Sequence, residues 1–227
     1  MNAIVLNYLL YALMIIISLC AQIYIMSSYK KYKGEENHNN LSGQEVARKI
    51  LDANGLSDVY VVEVQGELTD HYDPARKTVR LSSDIFHGET IASSAVAAHE
   101  CGHAIQDKVG YIPMRIRSML VFPVNLTSKT AWIVILLGIL FQYYKLFIIG
   151  IGLFSVTLLF QLVTLPVELD ASRRAKIELE KLRLVSKEEG YGVAKMLKAA
   201  AMTYVASVLT SILQIFRLLV LYSGDRK

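Results

Sequence analysis

Apolar positions along this chain follow two patterns: long unbroken runs and short periodic stretches. Ala3 to Met26 carries no charged side chain, and about 20 such residues suffice to cross a bilayer as a helix. A second run, from about Met119 to Leu165, is too long for one crossing and suits a helical hairpin, with Gln142, Tyr143, Tyr144 and Lys145 at the turn. Lys129 in the first arm is placed to snorkel or to face protein, and Leu146 to Leu165 has no charge. A further run, Ala199 to Tyr222, is interrupted by Arg217 and carries Thr203, Ser207, Thr210, Ser211 and Gln214. It reads as a span or as an amphipathic helix on the membrane face, so three to four transmembrane helices are expected.

The stretch between the first two runs is patterned like an ordinary folded region. Ser42 and Glu45 form a capping box, followed by Val46, Ala47, Ile50 and Leu51 at helical spacing and by an Asn54-Gly55 stop. Val59 to Val64 is a strand by its β-branched content. Thr69 to Pro74 reads as a turn, Lys77 to Ser82 as a second strand, and Glu89 to Asp107 as a helix. The second strand is expected at a sheet edge, where Thr78 to Leu81 would pair with an extended substrate. Gly34 to Asn40 is polar and is the best linker candidate, with His38 facing solvent.

Composition sharpens this division. The chain is 53% apolar, but those residues are concentrated in the runs, as in a membrane protein. The net charge is +4, and the basic residues sit beside the runs, at Lys30, Lys31, Lys33, Arg115, Arg117, Arg173, Arg174 and Lys176. That placement suits an anionic membrane surface. No basic stripe interleaved with aromatics appears, so no nucleic-acid partner is expected. The first run has no basic residue before it and lysines after it, as in a retained anchor rather than a cleaved leader. Three consecutive spans put all the basic flanks on one side, which the positive-inside rule makes cytoplasmic, with the N-terminus outside. Cys20 and Cys101 lie in unlike settings and do not suggest a disulfide framework.

His99-Glu100-Cys101-Gly102-His103 carries the chemistry. On a helix, positions i and i+4 project from one face, so two imidazoles can bind one Zn²⁺. Glu100, one step round, can reach a metal-activated water as general base. Ala97, Ala98, Gly102 and Ala104 are small and permit close packing of this helix. The competing reading, two surface histidines at helical spacing, fits poorly with so apolar a neighbourhood. Catalytic zinc needs a third protein ligand. His38 lies in the polar linker, His87 is about 18 Å of helical rise from His99, and His71 suits turn chemistry or transition-state support. Glu168 stands just after a span, beside Pro166, which fits a helix start or kink. Spacing alone leaves Glu168 open between metal ligand and helix-dipole acid. Asp170 is a weaker candidate for supporting a ligand, and Arg173 and Arg174 read as interfacial charges.

His71-Tyr-Asp-Pro, Val79-Arg-Leu-Ser, Ala97-Ala-His-Glu-Cys-Gly-His-Ala-Ile-Gln106 and Pro166-Val-Glu-Leu-Asp-Ala-Ser-Arg-Arg-Ala175 together resemble the YugP-type neutral zinc metallopeptidases of bacterial membranes. That family looks distantly like the membrane metallopeptidases that include the heat-shock protease and the prenyl-protein endoprotease. The resemblance implies Glu168 as the third ligand of a gluzincin-like site. It also implies proteolysis of membrane or membrane-associated proteins. The chain departs from the distant pattern where Ala171 is followed by Ser172 instead of an acid, which leaves the partner of one ligating histidine open.

The expected fold is therefore a mainly α membrane protein with three to four transmembrane helices and a small α+β zincin-like catalytic region on the cytoplasmic side. The expected segments are 1–26 as anchor, 27–118 as catalytic region, 119–165 as hairpin, 166–198 as the helix with the third ligand, and 199–227 as a C-terminal apolar helix. The expected activity is zinc-dependent endopeptidase, with the lipid bilayer and membrane proteins as partners. An intramembrane-cleaving zinc protease is a poorer match, because Glu89, Thr90, Ser93 and Ser94 do not suit a lipid-facing span. A non-catalytic membrane scaffold with a structural or vestigial metal site is the remaining alternative.

Overall fold

The structure, a computed structural model, describes residues 3–224; residues 1–2 of the expected anchor and 225–227 of the expected last segment lie outside the described residues. The elements in order are α1 (Ala3–Lys33), α2 (Gly43–Ala53), β1 (Tyr60–Val64), β2 (His71–Asp73), β3 (Thr78–Ser82), α3 (Ser83–His87), α4 (Ile91–Lys108), α5 (Ile112–Leu140), α6 (Tyr144–Lys181) and α7 (Lys187–Gly224). The chain divides into an apolar unit (Met1–Gln22, Arg115–Leu165, Thr203–Lys227) and a sheet-bearing unit (Ile23–Met114, Pro166–Met202).

Among the described residues, four helices are long and apolar enough to cross a membrane, including the last, which sequence patterning left open. In the apolar unit, large side chains such as Ile16, Phe122, Leu136 and Leu159 are exposed, which suits a hydrocarbon surrounding rather than water. The hairpin turns at Phe141–Tyr143, where Gln142 adopts a positive φ of 52°. Its arms pack closely through glycine: a Cβ on Gly138 would lie 2.6 Å from the Phe147 amide nitrogen, and one on Gly150 would lie 2.9 Å from that of Ile135. Small residues let spanning helices approach in this way, because packing replaces the hydrophobic drive that lipid removes. Pro166 lies inside α6 rather than at its start. The expected boundary at 198/199 likewise falls inside α7.

The sheet-bearing unit forms around α2 and α4. Both halves of the capping box are made: Glu45 N donates to Ser42 Oγ, and Ser42 N donates to Glu45 Oε2 at 2.8 Å. Val46, Ala47, Ile50 and Leu51, all fully buried, pack with Val79, Leu81, Ala95 and Ala98 in one core. Helix α4 begins at Ile91, two residues later than expected, because Thr90 caps it by accepting from Ser93 N at 3.1 Å.

Two expectations are overturned here. The expected turn at Thr69–Pro74 contains the short strand β2, and the sheet order is β1-β3-β2. β3 is thus central, parallel to β1 on one side and antiparallel to β2 on the other. Its backbone bonds are used on both sides, so β3 has no edge to offer a substrate. The polar segment Gly34–Asn40 joins α1 to α2, as expected of a linker, and is also bonded to the start of α4. Asn37 N donates to Glu89 O and Ile91 N donates to Glu35 O, both at 2.9 Å. His38 is exposed, as expected, and bonds to Glu189 through its backbone N at 2.6 Å and its Nδ1 at 2.8 Å. The backbone of this segment is a strap across the start of α4.

Candidate metal centre

The site lies within the sheet-bearing unit, where α4 meets the part of α6 that follows Leu165. The approach is close because residue 102 is glycine: a Cβ there would sit 2.5 Å from the Ala171 carbonyl oxygen. Ala97, Ala98, Cys101 and Ala104 are fully buried, so α4 presents a thin face and sinks into the core. The histidines at i and i+4 then project together, their ring centroids 4.8 Å apart.

Glu168 comes from α6 to meet them. Its Oε2 lies 3.2 Å from His99 Nε2 and 3.5 Å from His103 Nε2. The three candidate ligand atoms fall within 4.8 Å of one another, and Glu168 is 2% exposed. A buried carboxylate needs an opposite charge close by.

The far nitrogens of both rings are engaged. Gln106 Nε2 donates to Val167 O at 2.8 Å and to Asp170 at 3.0 Å. Its Oε1 must therefore accept, at 3.0 Å, from His103 Nδ1. With the proton on Nδ1, His103 Nε2 offers a lone pair towards Glu168. His99 Nδ1 meets Ser172 Oγ at 3.2 Å, which again leaves Nε2 facing inward. Two imidazole nitrogens facing one carboxylate form a donor set that Zn²⁺ accepts. The residues present fit the ion.

Glu100 sits one position round from His99, itself 7% exposed. Burial pushes its carboxyl up to about 7, against the pull of His99 and of a hydrogen bond from the Tyr72 backbone N–H. A carboxyl in that range can both take and return a proton near neutrality. Tyr72, in β2, also donates from its hydroxyl to Asp107 at 2.9 Å, which ties the strand to α4.

The remaining sequence candidates fall elsewhere. His71 bonds to Thr69 O at 2.7 Å, as turn chemistry, and His87 pairs with Glu63 at 3.2 Å. Arg173 and Arg174 both bind Asp170, Arg174 Nε at 2.6 Å. They are not merely interfacial charges: they hold the acid that orients Gln106. Gln106 and Tyr72 escaped the sequence reading. Gln106 stands three residues after His103 on the same helix face, a spacing that could have marked it.

The sequence profile of the family described as "Putative neutral zinc metallopeptidase" matches residues 7–223. A protein of Bacillus subtilis (strain 168) named "Putative membrane protease YugP" is 42% identical over 210 residues, covering 92% of this chain and 93% of that protein. No solved structure matches.

Proposed function

This chain belongs to that family of neutral zinc metallopeptidases, and from that premise we propose that it is a membrane-bound, zinc-dependent endopeptidase with a gluzincin-like site. One observation carries the proposal: His99 Nε2, His103 Nε2 and the Glu168 carboxylate converge beside the buried Glu100. His99, His103 and Glu168 would hold the ion and leave a coordination place open. When bound, Zn²⁺ polarises a peptide carbonyl and acidifies a water molecule. Glu100 accepts that water's proton as its oxygen adds to the carbonyl carbon. It returns the proton to the departing amine nitrogen as the C–N bond breaks.

An extended substrate would lie along β2 rather than β3. β2 is an edge strand, and its Tyr72 amide is within bonding reach of Glu100. The sheet-bearing unit is assigned to the cytoplasmic side, supported by the basic clusters at 27–33, Arg115 with Arg117, and 173–183. Its substrates on this reading are membrane or membrane-associated proteins, and the zincin-like character rests on the same His-Glu-x-x-His and glutamate set.

Purified wild-type protein and Glu100→Gln in lipid nanodiscs would be assayed for bound zinc and for cleavage of co-reconstituted membrane proteins. The endopeptidase reading expects equal zinc in both and cleavage only by wild type. Zinc retained with no cleavage by either would favour the scaffold alternative.

A further inference from the structure

Polar side chains inside a membrane bundle are expensive, and the apolar unit has two rows of them. On α6, Thr157, Gln161 and Thr164 recur at steps of four and three. They continue the face of Gly150, which abuts Ile135 of α5. On α7, Gln214, Ser211 and Ser207 continue the face of Leu218, which clusters with the same Ile135. Both rows therefore turn towards one interior line. Thr164 is 4% exposed, Ser211 6% and Gln214 7%.

Thr157 Oγ1, Gln161 Oε1, Thr164 Oγ1 and Gln214 Nε2 are all buried without a hydrogen-bond partner. Thr157 lies near the middle of the uncharged stretch 146–165, where lipid supplies no alternative bond. Threonine can turn its hydroxyl to the carbonyl four residues back, as Ser155 and Ser207 do with their hydroxyls. Helix backbone gives the glutamine amides no such outlet. Gln214 is also held in place: Arg217 Nε donates to its Oε1 at 3.2 Å, and Arg217 Nη1 donates to Asn7 Oδ1 at 3.1 Å. That grip aims Nε2 at the buried side.

We propose that the interior of the apolar unit is a water-binding site. A file of ordered waters bonds to Thr157, Gln161 and Thr164 on α6 and to Gln214 on α7. Buried water in proteins is bound by two to four such groups. Arg217 closes the file at one end with a fixed positive charge, which opposes passage of cations and protons. At the other end the α6 row stops at Thr164, four residues before Glu168 along the same helix. The file stands whether or not the chain cleaves peptides.

The test uses full-length wild type in nanodiscs of phosphatidylglycerol and phosphatidylcholine, pulsed with X-rays so that bound water oxidises adjoining side chains. Leu159 and Leu162, exposed on the outer side of α6, serve as dry references. Normalised to each side chain's reactivity in the unfolded chain, Thr157 and Gln161 should gain oxygen severalfold faster than those leucines. Equal rates would overturn the proposal. Thr157→Val and Gln161→Leu give a second reading. Each should lower the melting temperature by removing a water-bonded group, whereas dry orphaned groups would make both variants melt higher. If a variant fails to fold, the wild-type labelling still decides.

Discussion

The two histidines of the metal centre are supported in different ways. His103 is held by Gln106, a fully buried amide fixed by Val167 O and Asp170, with Arg173 and Arg174 behind it. His99 Nδ1 meets Ser172, a half-buried hydroxyl at 3.2 Å. One side is a chain of charge-assisted bonds that locks a tautomer. The other is a single neutral bond from a group that can rotate. The rigidity that orients a ligand is therefore concentrated on the His103 side, and His99 owes more of its aim to the burial of α4.

The largest break removes the residue both sides share. Glu168→Ala should abolish stoichiometric zinc, read by metal analysis of purified protein, and if zinc stays at one equivalent the ligand set is wrong. Gln106→Leu should weaken zinc about 10–100-fold, as lost outer partners of ligating histidines do; competition with a fluorescent chelator measures it. Gly102→Ala should act on both sides alike. Its added methyl meets the Ala171 carbonyl, and overpacking of this kind costs about 1–3 kcal/mol. A drop in melting temperature with a matching loss of zinc affinity is expected, and an unchanged melting temperature would refute the close helix approach. Ser172→Ala should cost less than Gln106→Leu in the same chelator titration. If the order reverses, the asymmetry between the two sides is not the one described.

Much of this was legible in the chain itself, for reasons that differ by element. The capping box and the i, i+4 histidines are local, and local spacing dictates their geometry. Spacing left Glu168 open and resemblance favoured it as a ligand, because a carboxylate 69 residues from His99 leaves no trace in periodicity. Ser172 was unreadable as a support for the same reason, its bond to His99 spanning 73 residues, whereas Gln106 lies only three residues from the His103 it supports and could have been read from that spacing. The three residues of β2 were hidden beneath Asp and Pro turn signals. The central place of β3 follows from pairing order, which alternation along one strand does not encode. Of the two readings of Pro166, a helix start is excluded by its place inside α6, where a proline in a long apolar helix is better tolerated than its local chemistry implies.

The unbroken course of α6 carries a consequence for how such a chain comes into being. Both imidazoles are synthesised 60 or more residues before their carboxylate partner, which rides on a helix whose earlier turns are oily enough to need lipid. A nascent or unintegrated polypeptide thus possesses the motif without the means to close the ion's cage. Closure of the candidate site waits on synthesis of α6, an order set by the chain itself.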